Sequence, residues 1–343
     1  MTLRKRRTWA GTALGGAVLA AVTLLCAQGC APGAPADAAT QASHAVSVAT
    51  ARGIYQTYVK ESDEAAVKGD QTQALLLVTS AQWAQVKAQF LTLNSTGTAV
   101  TRYTFGTPVF YVPALGSYPQ WFVAVVPRST VTDGKPGPAT STLMLFARGK
   151  KTVPWTLSGM AMLSGPLPKI ALDGGYAIPV SAEDQSLLLR PDVVGATQAA
   201  VVDQGLSSPA AAVVAAGSQT TGLYAAQSTQ AAAQQRLGLR YSWLFEGSSF
   251  PQVGLRLADG GALVLYGMYL NTTNEHPNLD AGSPIPVPAA FSAILTTPNE
   301  VGYHAVYANW AYQYAAIDPP ASASHAKLQI IAWQSGPSYG HAY

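Results

Sequence analysis

The sequence predicts an α+β fold in two tandem domains, each with N-terminal helices packed on a curved antiparallel sheet. Three observations carry this expectation. Apolar residues recur first at helical and then at strand spacing, and that order appears twice along the chain. Helices grouped ahead of strands imply antiparallel sheets beside a helical layer, not the alternation of parallel βαβ units. The chain has 343 residues and only 2 cysteines, so stability must come from burial, and the length suffices for two domains.

The first element stands apart from both. Arg4, Lys5, Arg6 and Arg7 precede an uncharged stretch from Trp9 to Leu25, which is the layout of a signal peptide, and residues 1–29 are assigned to it. Cys26 follows bulky Leu25, whereas Cys30 follows Gly29 with Ala27 three residues before it; small residues before the cut favour Cys30. Ala27-Gln28-Gly29-Cys30 resembles a bacterial lipobox. That resemblance implies a diacylglyceryl group on the Cys30 thiol and a cell-membrane anchor on the extracytoplasmic face. An ordinary secretory signal or an uncleaved signal anchor is the competing reading, and Arg6-Arg7 leaves the twin-arginine route open beside the general one. Two acyl chains hold a protein on a membrane where one is marginal, at about 0.8 kcal/mol per buried methylene.

Export also changes the charge. The chain carries 20 Lys+Arg and 17 Asp+Glu, and four of the basic residues lie in the signal, which leaves 16 basic against 17 acidic residues beyond Gly29, a net −1. A near-neutral chain without a basic stripe lacks the electrostatic footprint of nucleic-acid binding. With Cys30 acylated no thiol remains, so no disulfide is expected.

Residues 30–51 comprise the lipidated cysteine and a flexible tether of Ala, Pro, Ser, Thr and Gln. The first domain is placed at 52–165. Ile54, Tyr55, Tyr58, Val59, Ala65 and Ala66 share a helical face, Lys60, Glu64 and Lys68 ladder the other, Gly69 ends the helix and Asp70 caps the next. Leu76, Val78, Trp83, Val86, Phe90 and Leu93 give a second stripe. Strands follow at Thr101–Val112, Gln120–Val126, Thr142–Ala147 and Val153–Leu163. A connecting segment, 166–190, holds a small hairpin around Asp173-Gly174-Gly175.

The second domain is placed at 191–343. Val193–Asp203, Pro209–Ala216 and Thr220–Leu237 read as helices. Leu239–Phe245, Val253–Ala258 and Ala262–Leu270 read as strands, the last two joined by a turn at Asp259-Gly260-Gly261. Residues 271–288 read as a polar loop, 301–316 and 326–333 as long closing strands, and the C-terminus as a frayed tail. The layout resembles the cystatin-like, or nuclear-transport-factor-2-like, architecture.

Several segments carry a further resemblance: Tyr103–Pro113 (YTFGTPVFYVP), Trp121–Val125 (WFVAV), Thr142–Phe146 (TLMLF), Leu167–Ala177, Asp192–Val202 and Leu255–Val264 (LRLADGGALV). They are similar to a family of uncharacterised lipoproteins of high-GC Gram-positive bacteria defined by the domain DUF8094. The resemblance implies a lipid anchor and an extracellular domain, and it brings no activity and no catalytic residues.

No complete catalytic set is legible. Gly336-Pro337-Ser338-Tyr339-Gly340 fits G-x-S-x-G, but a nucleophile elbow needs a following helix with Asp and His downstream, and only three residues follow. The 5 histidines include no i,i+4 pair, so no metal site is assigned. Neither a G-x-G-x-x-G nor a Walker A sequence is present, and no cofactor is expected. The most suggestive constellation is Tyr303, Tyr307, Trp310, Tyr312 and Tyr314. Strand parity puts Tyr303 and Tyr307 on one face and Trp310, Tyr312 and Tyr314 on the other; one face packs on helices and the other is a candidate binding face. The function expected is therefore a non-catalytic binding or interaction module of the cell envelope, with an envelope protein or carbohydrate as partner. The alternatives are an enzyme using a cone-shaped pocket with Asp203 or His304 as general acid/base, and a structural envelope component.

Overall fold

A computed structural model of the protein describes residues 46–278, 283–295 and 302–343. The signal peptide, Cys30 and the tether as far as residue 45 lie outside the described residues.

Helix α1 (Val48–Lys68) starts inside the expected tether, because the Ser47 side chain accepts a hydrogen bond from Thr50 N and so caps it. Gly69 closes it at φ 66°. Glu64 sits 3.9 Å from both Lys60 and Lys68. Asp70 caps α2 (Gln71–Leu76) by accepting from Gln73 N at 3.0 Å. The expected second stripe does not form one helix. Leu77 and Thr79 exchange backbone bonds with Leu157, which breaks the helix before α3 (Ser80–Thr96). Leu76 and Trp83 are consequently exposed; Phe90 of the expected stripe is buried, and Ala81, Gln82, Gln85 and Ala88 join it on the covered face of α3.

The expected strand at 101–112 is two short ones, β1 (Arg102–Phe105) and β2 (Val109–Tyr111), both paired with β3 (Gln120–Thr132). β4 (Lys135–Pro136), β5 (Thr140–Arg148) and β6 (Thr156–Leu163) complete the first half. The Asp-Gly-Gly hairpin forms as β7 (Leu172–Asp173) and β8 (Tyr176–Ala177), followed by β9 (Pro179–Val180). Two helices follow, α4 (Val194–Gln204) and α5 (Thr221–Arg236); the Pro209–Ala212 segment is only a 3-10 turn. The second half is β10 (Arg240–Gly247), β11 (Val253–Arg256), β12 (Ala262–Glu275), β13 (Ala305–Asp318) and β14 (Gln329–Ala342).

Two expectations fail here for one reason. The polar run 271–275 is strand, not loop, because β10 and β13 satisfy its backbone from both sides. The supposed tail is strand because residues 334–342 pair with β13. Backbone pairing outweighs composition where a partner lies on hand.

The halves do not form separate sheets. One 12-stranded sheet runs β1-β3-β5-β6-β14-β13-β12-β11-β9, with β2 and β4 on β3 and β10 on β12, and its paired strands are antiparallel. β6 joins β14 through Ala332↔Leu163 and Trp333↔Met162. Polar side chains reinforce the seam: Gln313 accepts from Met160 N at 2.5 Å, and Gln85 of α3 donates to Ala311 O at 3.1 Å. Alternate residues of β3 serve two cores. Phe122, Ala124 and Val126 pack beneath α1, while Trp121 and Val123 join Leu255, Leu263 and Ala315 of the second half. A third core, under α4, holds Val201, Val202, Phe245, Tyr266, Tyr312 and Tyr314. The architecture is α+β, with a large antiparallel sheet and few helices.

Candidate functional site

Strand β13 sorts the predicted tyrosines. Tyr312 and Tyr314 are buried at 8% and 1% exposure, edge-on to Phe245, and Tyr314 stacks on Tyr266 at 5.6 Å. Their face is core. The Tyr314 hydroxyl donates to Gln219 Oε1 and that of Tyr266 to Gln198 Oε1, so both of these phenols are satisfied. Trp310 shares their parity, is half-buried, and meets Phe291 edge-on at 4.9 Å. Tyr303 is exposed and precedes the strand.

Tyr307 is on the opposite face, in an open groove of about 540 Å³. The groove's floor is Tyr269, Asn271 and Thr273 of β12, Tyr307 and Asn309 of β13, and Ser338 and Tyr339 of β14. The register explains the grouping: Asn271 lies opposite Asn309, Asn309 opposite Tyr339, and Thr273 opposite Tyr307. Ser80, Trp83 and Ala84 of α3 form a wall. Ser80 has φ 55°, and this left-handed residue turns the chain from its bridge at Leu157 into α3.

Aromatic rings remain open to solvent around a polar floor. Trp83, Tyr307 and Tyr339 are exposed at 41%, 37% and 49%. Tyr307 stacks on Tyr343 with centroids 5.9 Å apart, and their hydroxyls lie 3.4 Å apart. Lys87 Nζ is 5.1 Å from the Trp83 ring centroid. The floor is a relay of hydrogen bonds. Asn271 Nδ2 donates to Glu246 Oε1 at 2.6 Å, Asn309 Nδ2 donates to Asn271 Oδ1, and Ser338 Oγ donates to Asn309 O at 2.8 Å. These bonds fix which amide edge each asparagine turns to its neighbour. The hydroxyl of Tyr343 beside it, with partial burial, holds Tyr307 above the usual tyrosine range; burial does the same for Tyr269. The lining is thus Ser, Thr, Asn, Ala, Tyr and Trp, all neutral at pH 7.

G-x-S-x-G falls in the middle of β14, where Ser338 is a floor residue of the groove. Asp203 and His304 stand outside the groove's lining. Asp203 Oδ1 accepts from Phe245 N at 3.0 Å, tying the end of α4 to β10, and burial raises its carboxyl. His304 packs near the Tyr343 ring at 6.3 Å. Among the described residues no three of His, Cys, Asp and Glu are grouped to hold a metal ion. The sequence missed Trp83, Asn271, Asn309 and Tyr339. Trp83 fits the apolar stripe of a core helix, Asn271 and Tyr339 fall in segments whose composition is that of a loop or tail, and Asn309, although inside the expected strand 301–316, is not aromatic and so stands outside the expected binding face.

No helix among the described residues is long and apolar enough to cross a membrane. A curated protein of Streptomyces avermitilis named "Uncharacterized lipoprotein" is 28% identical over 243 residues, which cover 66% of this chain and 68% of the relative. No solved structure matches. The model of one family, described as a domain of unknown function (DUF8094), matches residues 42–334, and the chain belongs to that family.

Proposed function

We propose that this protein is a lipid-anchored, extracytoplasmic binding module of the cell envelope, and that the groove over β12–β14 holds a neutral carbohydrate. The observation that carries the reading is the pairing of exposed aromatic planes with an ordered, uncharged amide and hydroxyl floor. A pyranose ring presents C–H bonds on its faces and hydroxyls at its edge. Trp83, Tyr307 and Tyr339 suit the faces; Asn271, Thr273, Asn309 and Ser338 suit the edge.

Anchoring rests on Ala27-Gln28-Gly29-Cys30, supported by the name of the Streptomyces relative, a lipoprotein. A diacylated Cys30 followed by the 31–45 segment would stand the groove clear of the lipid headgroups. On this reading 52–165 and 191–343 are two cystatin-like α+β halves, connected by 166–190, that share one sheet, with the groove on the second half and α3 of the first as its wall.

Co-sedimentation of the detergent-solubilised full chain with cell-wall sacculi, and with cellulose as a plain glucan, tests the groove. Tyr307→Ala and Trp83→Ala should each lower retention about tenfold or more, the loss of one stacking partner. Failure of the parent to sediment with either glycan, or retention of both variants equal to the parent's, would overturn the reading. Trp310→Ala is unsuitable as a surface control, since Trp310 packs on Phe291. Intact-mass analysis of membrane-extracted protein checks the anchor separately: a diacyl adduct on Cys30 is expected, and an unmodified thiol there would remove the anchor from the account.

A further inference from the structure

A second cavity, of about 80 Å³, opens between α1, α3 and the strands of the first half. Ala74, Leu77, Val78, Val86 and Phe90 give it mostly apolar walls. Arg128 of β3 also lines it, only 8% exposed. The guanidinium lies over the Tyr103 ring, 4.4 Å from its centroid. Its Nη1 is 2.7 Å from Met160 Sδ, and its Nη2 donates to Gln334 Oε1 at 3.3 Å.

A thioether is a weak acceptor and an amide oxygen carries no full charge. Among the described residues no carboxylate pairs with Arg128. Asp63, the carboxylate that shares the cavity lining, is engaged by Arg102 in a two-pronged pair at 2.8 and 2.9 Å. A buried charge left unpaired is costly.

An independent observation comes from α3, which lines the same cavity. Gln82 is 2% exposed and lines the cavity, and its Nε2 has no hydrogen-bond partner among the described residues. Tyr58 adds a hydroxyl, kept protonated because burial raises it. A cation, an orphan amide donor and a neutral phenol line one cavity, and among the described residues its one lining carboxylate, Asp63, is already held by Arg102. Buried donors without acceptors are rare in folded proteins, and each calls for an explanation.

We infer that this cavity binds a small monocarboxylate with a short apolar body, its carboxylate paired with Arg128 and bonded by Gln82 Nε2. A guanidinium fork matches a carboxylate in two parallel hydrogen bonds. The volume admits about six water-sized groups, which limits the ligand to a short acid. The apolar walls disfavour a multiply charged ion, since of the two lining guanidinium groups Arg102 is already paired with Asp63 and only Arg128 is left to meet it.

Isothermal titration of the detergent-solubilised full chain with acetate, butyrate and inorganic phosphate tests the site. Butyrate should bind at one saturable site, about tenfold more tightly than acetate for its two extra methylenes, and phosphate should not compete. Arg128→Gln should lower butyrate affinity at least tenfold and Gln82→Leu several-fold, while Tyr307→Ala leaves it unchanged. Should Arg128→Gln fail to fold, Gln82→Leu decides, because it removes a donor that bonds nothing in the protein. Absence of saturable butyrate binding, phosphate binding more tightly than butyrate, or unaltered affinity in Gln82→Leu would each overturn the assignment.

Discussion

The two faces of β13 hold the same residue type under opposite conditions. Tyr312 and Tyr314 lie under α4 with their rings enclosed, while Tyr307, on the other parity, stacks on Tyr343 at the edge of an open groove. Sequence parity separates the faces but does not say which is covered. Coverage follows from what lies above: α4 and α5 lie over one face of the second half, whereas α3 reaches the other face only part of the way, at Ala311 through Gln85. On that face Gln313 and Ala315 are buried, whereas toward Asn309 and Tyr307 the sheet is left open, and the groove is what remains.

The sharpest test of this contrast is stability. Tyr314→Ala removes a ring that is 1% exposed and should destabilise the fold by about 3–5 kcal/mol, whereas Tyr307→Ala should stay within about 0.5 kcal/mol of the parent in urea unfolding. Similar losses at the two positions would erase the distinction between core face and binding face.

A second test probes how deeply the covered face is enclosed. Asp318 shares the parity of Tyr312 and Tyr314 and is fully buried. Burial raises its carboxyl to about 7, with Asp184 nearby adding to the effect and the bond from Leu189 N opposing it. Its Oδ2 has no partner among the described residues. The folded-state value lies above the unfolded one, so the contribution is fully present below about pH 3.9, falls as pH rises, and is gone above about 7. The loss amounts to as much as about 4 kcal/mol across that window. Asp318→Asn stays neutral, so the stability difference between variant and parent should swing in the variant's favour from pH 4 to pH 8. A constant difference would mean that water reaches the carboxylate.

Local signals were readable wherever the chain's own chemistry fixes geometry. Gly69 takes the left-handed conformation that ends a helix, Asp70 caps the next, and the two Asp-Gly-Gly turns fold back on themselves. The element order, helices then strands twice, follows the same local logic. The helix break at Leu77–Thr79 was not readable, because it depends on Leu157, far along the chain, which offers both a donor and an acceptor. The strand character of Asn271–Glu275 and of residues 334–342 was hidden too, since their composition is polar or turn-like and only paired neighbours hold them extended.

The sequence by itself determined the local vocabulary: the caps, the hairpins, the parity of β13 and the absence of a thiol beyond Cys30. These depend on backbone dihedrals, side-chain spacing and residue counts, which need no distant partner. The tertiary structure alone decided that both halves share one sheet, that Trp83 overlooks the groove, and that Arg128 faces a cavity instead of a carboxylate. Each of those depends on segments far apart in the chain meeting in space, and the energy of such a meeting is a property of the pair, absent from either segment read alone.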